Sequence, residues 1–244
     1  MDFKNKNAVI TGGANGIGYC IAEYFMNAKA NITIIDIQAM KPLKNTHFIQ
    51  GDISKREVIE AYINSLIEPV DFVINNACIS NKGLLSGCSW EDFEYVQKVG
   101  VTAPYYLVSM LYKANLLAKG ASIVNIASTR GLQSQADTES YSAAKGGILA
   151  LTHAMSISLS GIARVNAISP GWIDVSNEKN NHSKEDKAQH PAGRVGNPKD
   201  IAEMVMFLCD NDRAGFITGE NIIIDGGMSK LMVYHNDNGW GYKM

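Results

Sequence analysis

Short apolar runs alternate along this chain with longer stretches in which apolar residues recur every three or four positions. Ala8-Val-Ile-Thr11 is one such run, ended at once by two glycines, and it predicts a short buried strand. Behind it Ile17, Ile21 and Phe25, with Cys20 and Tyr24 beside them, mark one face of an amphipathic helix. The same alternation predicts strands at 31–36, 47–50, 71–75, 122–126, 163–168 and 221–224. Helices are expected near 55–67, 89–113, 141–159 and 198–209. Their starts carry polar signals: Ser54 before Lys-Arg-Glu, a capping box at Ser89-Trp-Glu-Asp92, and Asn197 ahead of Pro198. The stretch 37–46 is too short for a full crossover helix, which predicts a trimmed layer there. Alternation of this kind builds an α/β fold, a doubly wound and mostly parallel sheet with helices on both faces. A length of 244 residues suits one such domain.

Thr11-Gly-Gly-Ala-Asn-Gly-Ile-Gly18 joins the first strand to the first helix. In that context a glycine cluster marks the dinucleotide-binding Rossmann arrangement. Gly12 permits the tight turn, Gly16 lets backbone approach a pyrophosphate, and Gly18 lets helix pack on strand. The helix start then offers free N–H groups to the phosphates. Asp36 ends the second strand about 20 residues on, where the adenosine ribose is met. A carboxylate there accepts from ribose hydroxyls and repels a 2′-phosphate, and neither Asn15 nor Ile37 offers a cation in compensation. The expected cofactor is NAD rather than NADP.

Tyr141-Ser-Ala-Ala-Lys145 places a phenol and an ammonium on one face of the Ala-rich helix expected over 141–159. An ammonium beside a phenol favours phenolate, which equips a protein for alcohol–ketone proton transfer near neutral pH.

Taken together, these motifs resemble the short-chain dehydrogenase/reductase family, in its single-domain form with a Ser-Tyr-Lys centre. The resemblance runs from about residue 7 to about residue 229. It includes Thr11 to Gly18, Asp52 in Gly-Asp-Ile-Ser, Asn75-Asn-Ala77, Ser128 thirteen residues before Tyr141, Pro170-Gly-Trp-Ile173 and Asp225-Gly-Gly227. It implies Ser128, Tyr141 and Lys145 as catalytic residues. It implies a cofactor site made of Gly12, Asn15, Gly16, Ile17, Gly18, Asp36, Asp52, Ile53, Asn75, Ala77, Tyr141, Lys145, Pro170, Gly171 and Ile173. The activity implied is exchange between a secondary alcohol and a ketone. An acyl-thioester reductase, or an NAD-holding sensor without turnover, are the alternatives.

Three positions depart from the family pattern. Cys78 stands for the last glycine of Asn-Asn-Ala-Gly, Gly100 for the asparagine of the catalytic tetrad, and Val175 for a frequent threonine. Gly100 keeps the main-chain carbonyl that the tetrad uses to hold a water, and it tolerates a helix kink.

Charge and composition narrow the picture further. A net charge of −2 gives no basic stripe for nucleic acid. No apolar run approaches a membrane span, and the first residues lack a secretory signal, so a cytoplasmic chain is expected. Four scattered cysteines suit a reducing compartment, and five scattered histidines suggest no metal site. Residues 176–190 lie where the family carries its substrate lid, and their polar composition predicts a small polar substrate, such as a sugar, polyol or hydroxy acid. Arg130, two residues after Ser128, either pairs with a substrate carboxylate or phosphate, faces solvent, or pairs with Asp137 or Glu139. The tail 230–244 carries Leu231, Met232, Val233, Tyr234, Trp240, Tyr242 and Met244, which predicts a homo-oligomer, a tetramer in the family's manner, with the tail against a neighbouring subunit.

Overall fold

A computed structural model describes residues 2–80, 82–176, 182–234 and 236–237. Positions 177–181 of the predicted lid, and Trp240, Tyr242 and Met244 of the tail, lie outside the described residues.

Seven strands form one parallel sheet: β1 Asn7–Thr11, β2 Asn31–Asp36, β3 Thr46–Gln50, β4 Val70–Asn75, β5 Leu117–Ile126, β6 Ala163–Pro170 and β7 Asn221–Ile224. Their spatial order is β3-β2-β1-β4-β5-β6-β7, and every neighbouring pair is parallel. The order reverses between β1 and β4, and such a switch opens a crevice beyond the carboxyl ends of the strands.

One face of the sheet is covered by α1 Gly16–Asn27 and α7 Pro198–Cys209. The other is covered by α2 Arg56–Ser65, α4 Ala103–Lys113 and α5 Glu139–Ser158. Phe3, Phe25 and Phe72 pack below the first face with ring centroids 4.7–5.8 Å apart. Truncating fully buried Phe25 to Ala would cost about 3–5 kcal/mol. Residues 37–45 carry no helix, so β3 is a half-buried edge strand, as the short connection predicts. Among the described residues no helix is long and apolar enough to cross a membrane.

One expectation is corrected, and two segments gain detail. Ser54 does not cap α2: Lys55 precedes the helix, while Asp52 accepts the Ser54 N–H at 2.9 Å in an Asx turn. The helix expected over 89–113 is present and runs through α3 Trp90–Gln97, a π turn at Lys98–Thr102, and α4. Pro104 explains the π turn, since it has no N–H to give the carbonyl of Gly100 four residues earlier. The Ala103 N–H reaches instead to the Lys98 carbonyl, five residues back. Inside the polar lid a short helix, α6 Lys184–Ala188, forms behind a reciprocal Ser183–Asp186 capping box. The predicted caps at Ser89 and Asn197 are present: Ser89 Oγ accepts from Asp92 N–H, and Asn197 joins Asp200 in a capping box. A last short helix, α8, spans Asn211–Ala214.

Candidate active site

Strand register brings the predicted residues to one edge. Thr11 pairs with Asn75, Asn75 with Asn125, Ile126 with Ile168, and Pro170 with Ile224. Gly12, Ala77, Ser128 and Gly171 therefore all leave the sheet at its carboxyl end.

The glycine turn is shaped by contacts no side chain could share. Gly12 has φ +68°, and a Cβ on it would lie 2.7 Å from Ala77 Cα. A Cβ on Gly18 would strike the Gly12 carbonyl oxygen. Gly16, at φ +56°, starts α1 behind Asn15, whose side chain donates to Gln38 Oε1 at 2.7 Å and leaves the helix N–H groups uncapped. Those N–H groups suit phosphate oxygens. Asn76 staples the turn: its Nδ2 donates to the carbonyls of Gly12 at 2.6 Å and Thr11 at 3.2 Å. Thr11 Oγ1 in turn accepts the N–H groups of Asn76 and Ala77, each at 3.1 Å.

A cleft of about 360 Å³ runs from this turn along the switch point. Of the predicted cofactor residues, Gly12, Asn15, Gly16, Ile17, Asp36, Asp52, Ile53 and Ala77 line it. Asn76, exposed Cys78 and Val175 join them. Asp36 accepts from Ala14 N–H and Gln38 N–H, both at 2.9 Å, which holds its carboxylate at the cleft wall. Asp52 accepts the Tyr95 hydroxyl at 3.3 Å. Burial, and then the Asp52 charge, push the Tyr95 phenol above its usual range.

Asn75 turns the other way. It is buried, and its Nδ2 donates to Asn125 Oδ1 at 2.8 Å, while Asn125 donates to Thr152 Oγ1 at 2.9 Å. Its amide ties β4 and β5 to α5, and the cleft side of the motif belongs to Asn76. Two adjacent asparagines gave no sequence signal for which one turns inward.

The proposed catalytic residues meet at the end of β5 and on α5. Buried Lys145 donates from Nζ to the Ile126 carbonyl at 2.7 Å, with its ammonium 5.5 Å from the centre of the Tyr141 ring. Buried Ser128 accepts the Arg130 N–H at 3.1 Å and starts a 3-10 turn over Thr129–Gly131. The Arg130 guanidinium lies 5.7 Å from the centre of the Tyr141 ring, so two cations flank one phenol.

Behind β6, Gly171 donates its N–H to the Ile224 carbonyl at 2.9 Å, and a Cβ on it would lie 2.6 Å from that of Asp225. Ile173 bridges to Gly196, which fixes the segment leading to Val175 in the cleft wall. Asp225 accepts the N–H groups of Gly227 and Ser229, so the Asp-Gly-Gly motif is a turn that braces Gly171. Trp172 stands edge-on to His182 at 5.5 Å and tilted against buried His190 at 6.1 Å.

Comparison with known proteins agrees with this arrangement. Residues 12–229 match a family model described as enoyl-(acyl carrier protein) reductase. An uncharacterized oxidoreductase of Thermotoga maritima is 38% identical, over 95% of this chain and 98% of that protein. A 3-oxoacyl-(acyl-carrier-protein) reductase of Chlamydia trachomatis is 33% identical, over 92% and 98% respectively. The solved structure of an apo SCOR enzyme from Clostridium thermocellum superposes with a TM-score of 0.88 at 42% identity, covering 98% of this chain and 99% of that one. A 4-hydroxyisoleucine dehydrogenase complexed with NADH superposes with a TM-score of 0.83 at 29% identity, covering 93% and 100%. With its parallel sheet, glycine turn and Ser-Tyr-Lys residues at one strand edge, this chain belongs to the short-chain dehydrogenase/reductase family of oxidoreductases.

Proposed function

We propose that this chain interconverts a secondary alcohol and a ketone with NAD(H), on a small polar substrate such as a sugar, polyol or hydroxy acid. The observation that carries the reading is buried Lys145, bonded to the Ile126 carbonyl two residues before Ser128, with its ammonium 5.5 Å from the centre of the Tyr141 ring.

The turn fits a dinucleotide because Gly12 and Gly18 leave room only for backbone and the α1 N–H groups stay uncapped. Asp36 would hold the adenosine ribose, and Ile53 the adenine side. When bound, the nicotinamide supplies hydride exchange. Tyr141 takes the hydroxyl proton in oxidation and returns it in reduction. Ser128 hydrogen-bonds the substrate oxygen and keeps it beside the phenol. Lys145 sets a positive charge beside the Tyr141 ring and holds it there through the Ile126 carbonyl. The NAD reading rests on Asp36, and the NADH complex of a structural neighbour supports it.

A second reading, reduction of a 3-oxoacyl thioester, is favoured by the name of the chlamydial relative. Purified protein assayed at 340 nm with NAD(H) and NADP(H), across sugars, polyols, hydroxy acids and acyl thioesters, separates the two. Turnover of thioesters alone, with NADPH, would replace the first reading by the second. The chain further assembles, in this proposal, as a homo-oligomer, a tetramer, in which exposed Leu231, Met232 and Tyr234 are covered by a neighbour.

A further inference from the structure

We infer that Arg130 is an anion subsite of this active site, and that the substrate carries a carboxylate or phosphate beside the reacting alcohol. The inference rests on the dehydrogenase reading and names its substrate class.

The backbone at Arg130 is fixed. Its own N–H is bonded to Ser128 Oγ, and the next residue, Gly131, is pressed on α5 so closely that a Cβ there would lie 2.8 Å from the Lys145 carbonyl oxygen. The 3-10 turn is thereby docked on the helix that bears Tyr141 and Lys145, and the guanidinium comes to rest over the Tyr141 ring. The loop beyond is held as well: Ser134 donates to Ser142 Oγ at 3.2 Å, and Thr138 Oγ1 donates to the Gln135 carbonyl at 2.7 Å.

The charge in this place is not compensated. Arg130 is half-buried, and its side-chain hydrogen bond goes to Gln135 Oε1, a neutral acceptor. Among the described residues no carboxylate lies within ion-pair distance of it. The two nearest in sequence are engaged elsewhere. Asp137 Oδ1 accepts the N–H groups of Leu85 at 2.9 Å and Ser86 at 3.0 Å, and Glu139 Oε2 accepts that of Leu84 at 3.0 Å. The bonds from Ser86, first among several, hold the Asp137 carboxyl below its usual range, as befits a charged cap for the loop. The predicted pairing of Arg130 with Asp137 or Glu139 is therefore replaced by a fork that keeps donors unspent.

A half-buried guanidinium without a counter-anion is costly, and a planar fork is matched by carboxylate or phosphate oxygens. Lys145 on the same phenol adds to the positive potential. An anionic group bound at Arg130 would sit on the Tyr141 side of the site, which orients a hydroxyl on the neighbouring carbons toward that phenol.

Matched pairs test this. The carboxylate pair is 3-hydroxybutyrate and its amide; the phosphate pair is glycerol 3-phosphate and glycerol. The anionic member of one pair should exceed its neutral partner at least tenfold in kcat/KM, and the pair that responds names the anion. Arg130→Gln should shrink that ratio at least tenfold, with Arg130→Lys between, because an ammonium keeps charge and loses the fork. Calorimetric titration of malonate and of inorganic phosphate, with and without NADH, gives a readout independent of turnover. Saturable binding of one of them, weakened at least tenfold in Arg130→Gln, supports the subsite. Equal use of both members of each pair, an equal effect of Arg130→Gln on both, or no heat with either anion would overturn it. Failure of NADH itself to bind would instead sink the dehydrogenase reading, while the titration without NADH still judges the subsite.

Discussion

Lys145 Nζ and the Ile126 carbonyl oxygen stand 2.7 Å apart, and that bond joins the helix that carries the phenol to the strand that carries Ser128. The ammonium spends one donor on the end of β5 and is positioned by it, so its place beside Tyr141 does not depend on a bound ligand. The bond ties the α5 face to the β5 end, and a fixed spacing of this kind suits proton transfer.

Tyr141→Phe should abolish turnover and spare the fold. General acid–base catalysis is worth about 10²–10⁴ in rate, and kcat should fall by that range. NADH binding and melting temperature should stay near the wild type. Activity within threefold of wild type would remove Tyr141 from the proton-transfer role.

Asp36 should set cofactor choice. NAD should be favoured over NADP at least tenfold in kcat/KM, about 1.4 kcal/mol. Because Asp36 also accepts from Ala14 and Gln38 N–H, Asp36→Ala would loosen the cradle as well as change its charge. Asp36→Asn keeps an acceptor and is the cleaner variant. A ratio unchanged in Asp36→Asn would mean that the carboxylate serves the loop alone.

Much of this architecture is legible in the chain because parallel strands buried on both faces read as continuous apolar runs. β1, with Ala8-Val-Ile10, and β4, with Phe72-Val-Ile74, are of that kind, and the glycine turn fixes which strand opens the sheet. The π turn was hidden because apolar spacing runs on through 89–113 with only one extra residue per turn. Pro104 was the available signal. Helix α6 has no apolar face to announce it, so only its Ser-x-x-Asp cap was visible. Within the site, spacing places Ser128, Tyr141 and Lys145, but which way Asn75 and Asn76 turn is decided by the Asn125–Thr152 network. Likewise Arg130 was visible as a residue near Ser128, while its seat on the Tyr141 ring follows from the approach of Gly131 to α5.

Gly100 should resist restoration of the family's asparagine. A Cβ at Gly100 would lie 2.9 Å from Ala144 Cβ, next to Lys145 on α5. Gly100→Asn must push the π turn away from α5, an overpacking cost of about 1–3 kcal/mol. Ala144→Gly opens space and by itself costs about 0.5–1 kcal/mol. The double variant should be more stable than the sum of the two singles predicts, by at least about 0.5 kcal/mol in a denaturation cycle. Simple additivity would show that the two helices are not in the contact described.

Asp200 should give the protein an acid-sensitive helix start. Its carboxylate accepts Arg194 Nη1 and Nη2 at 2.7 and 2.6 Å and Asn197 N–H at 2.8 Å, and Arg194 first among these holds its carboxyl below the usual range. A lowered folded-state pKa stabilises above the unfolded value of about 3.9, and that gain is lost as pH falls through the folded value. Asp200→Asn should melt below wild type at pH 7, by no more than about 1 kcal/mol for so exposed a pair. The gap should close as pH falls below the unfolded value of about 4. A gap that stays constant down to pH 2 would assign the effect to lost shape rather than lost charge.

The tail should serve assembly. Beyond the turn braced by Asp225, Met232 and Tyr234 are 75% and 68% exposed in the single chain, and Leu231 is 40% exposed. Three consecutive or near-consecutive apolar residues in water are unfavourable, and a tyrosine with a free hydroxyl suits a contact between subunits. In a tetramer of two-fold symmetry each tail would lie on an equivalent surface of a neighbour, so its loss would be felt at every copy of that interface. Deleting residues 234–244 should lower the mass in solution, reduce the melting temperature, and raise KM for substrate if the tail reaches a neighbour's entrance. A truncated chain with unaltered mass, melting temperature and KM would remove the tail from both roles.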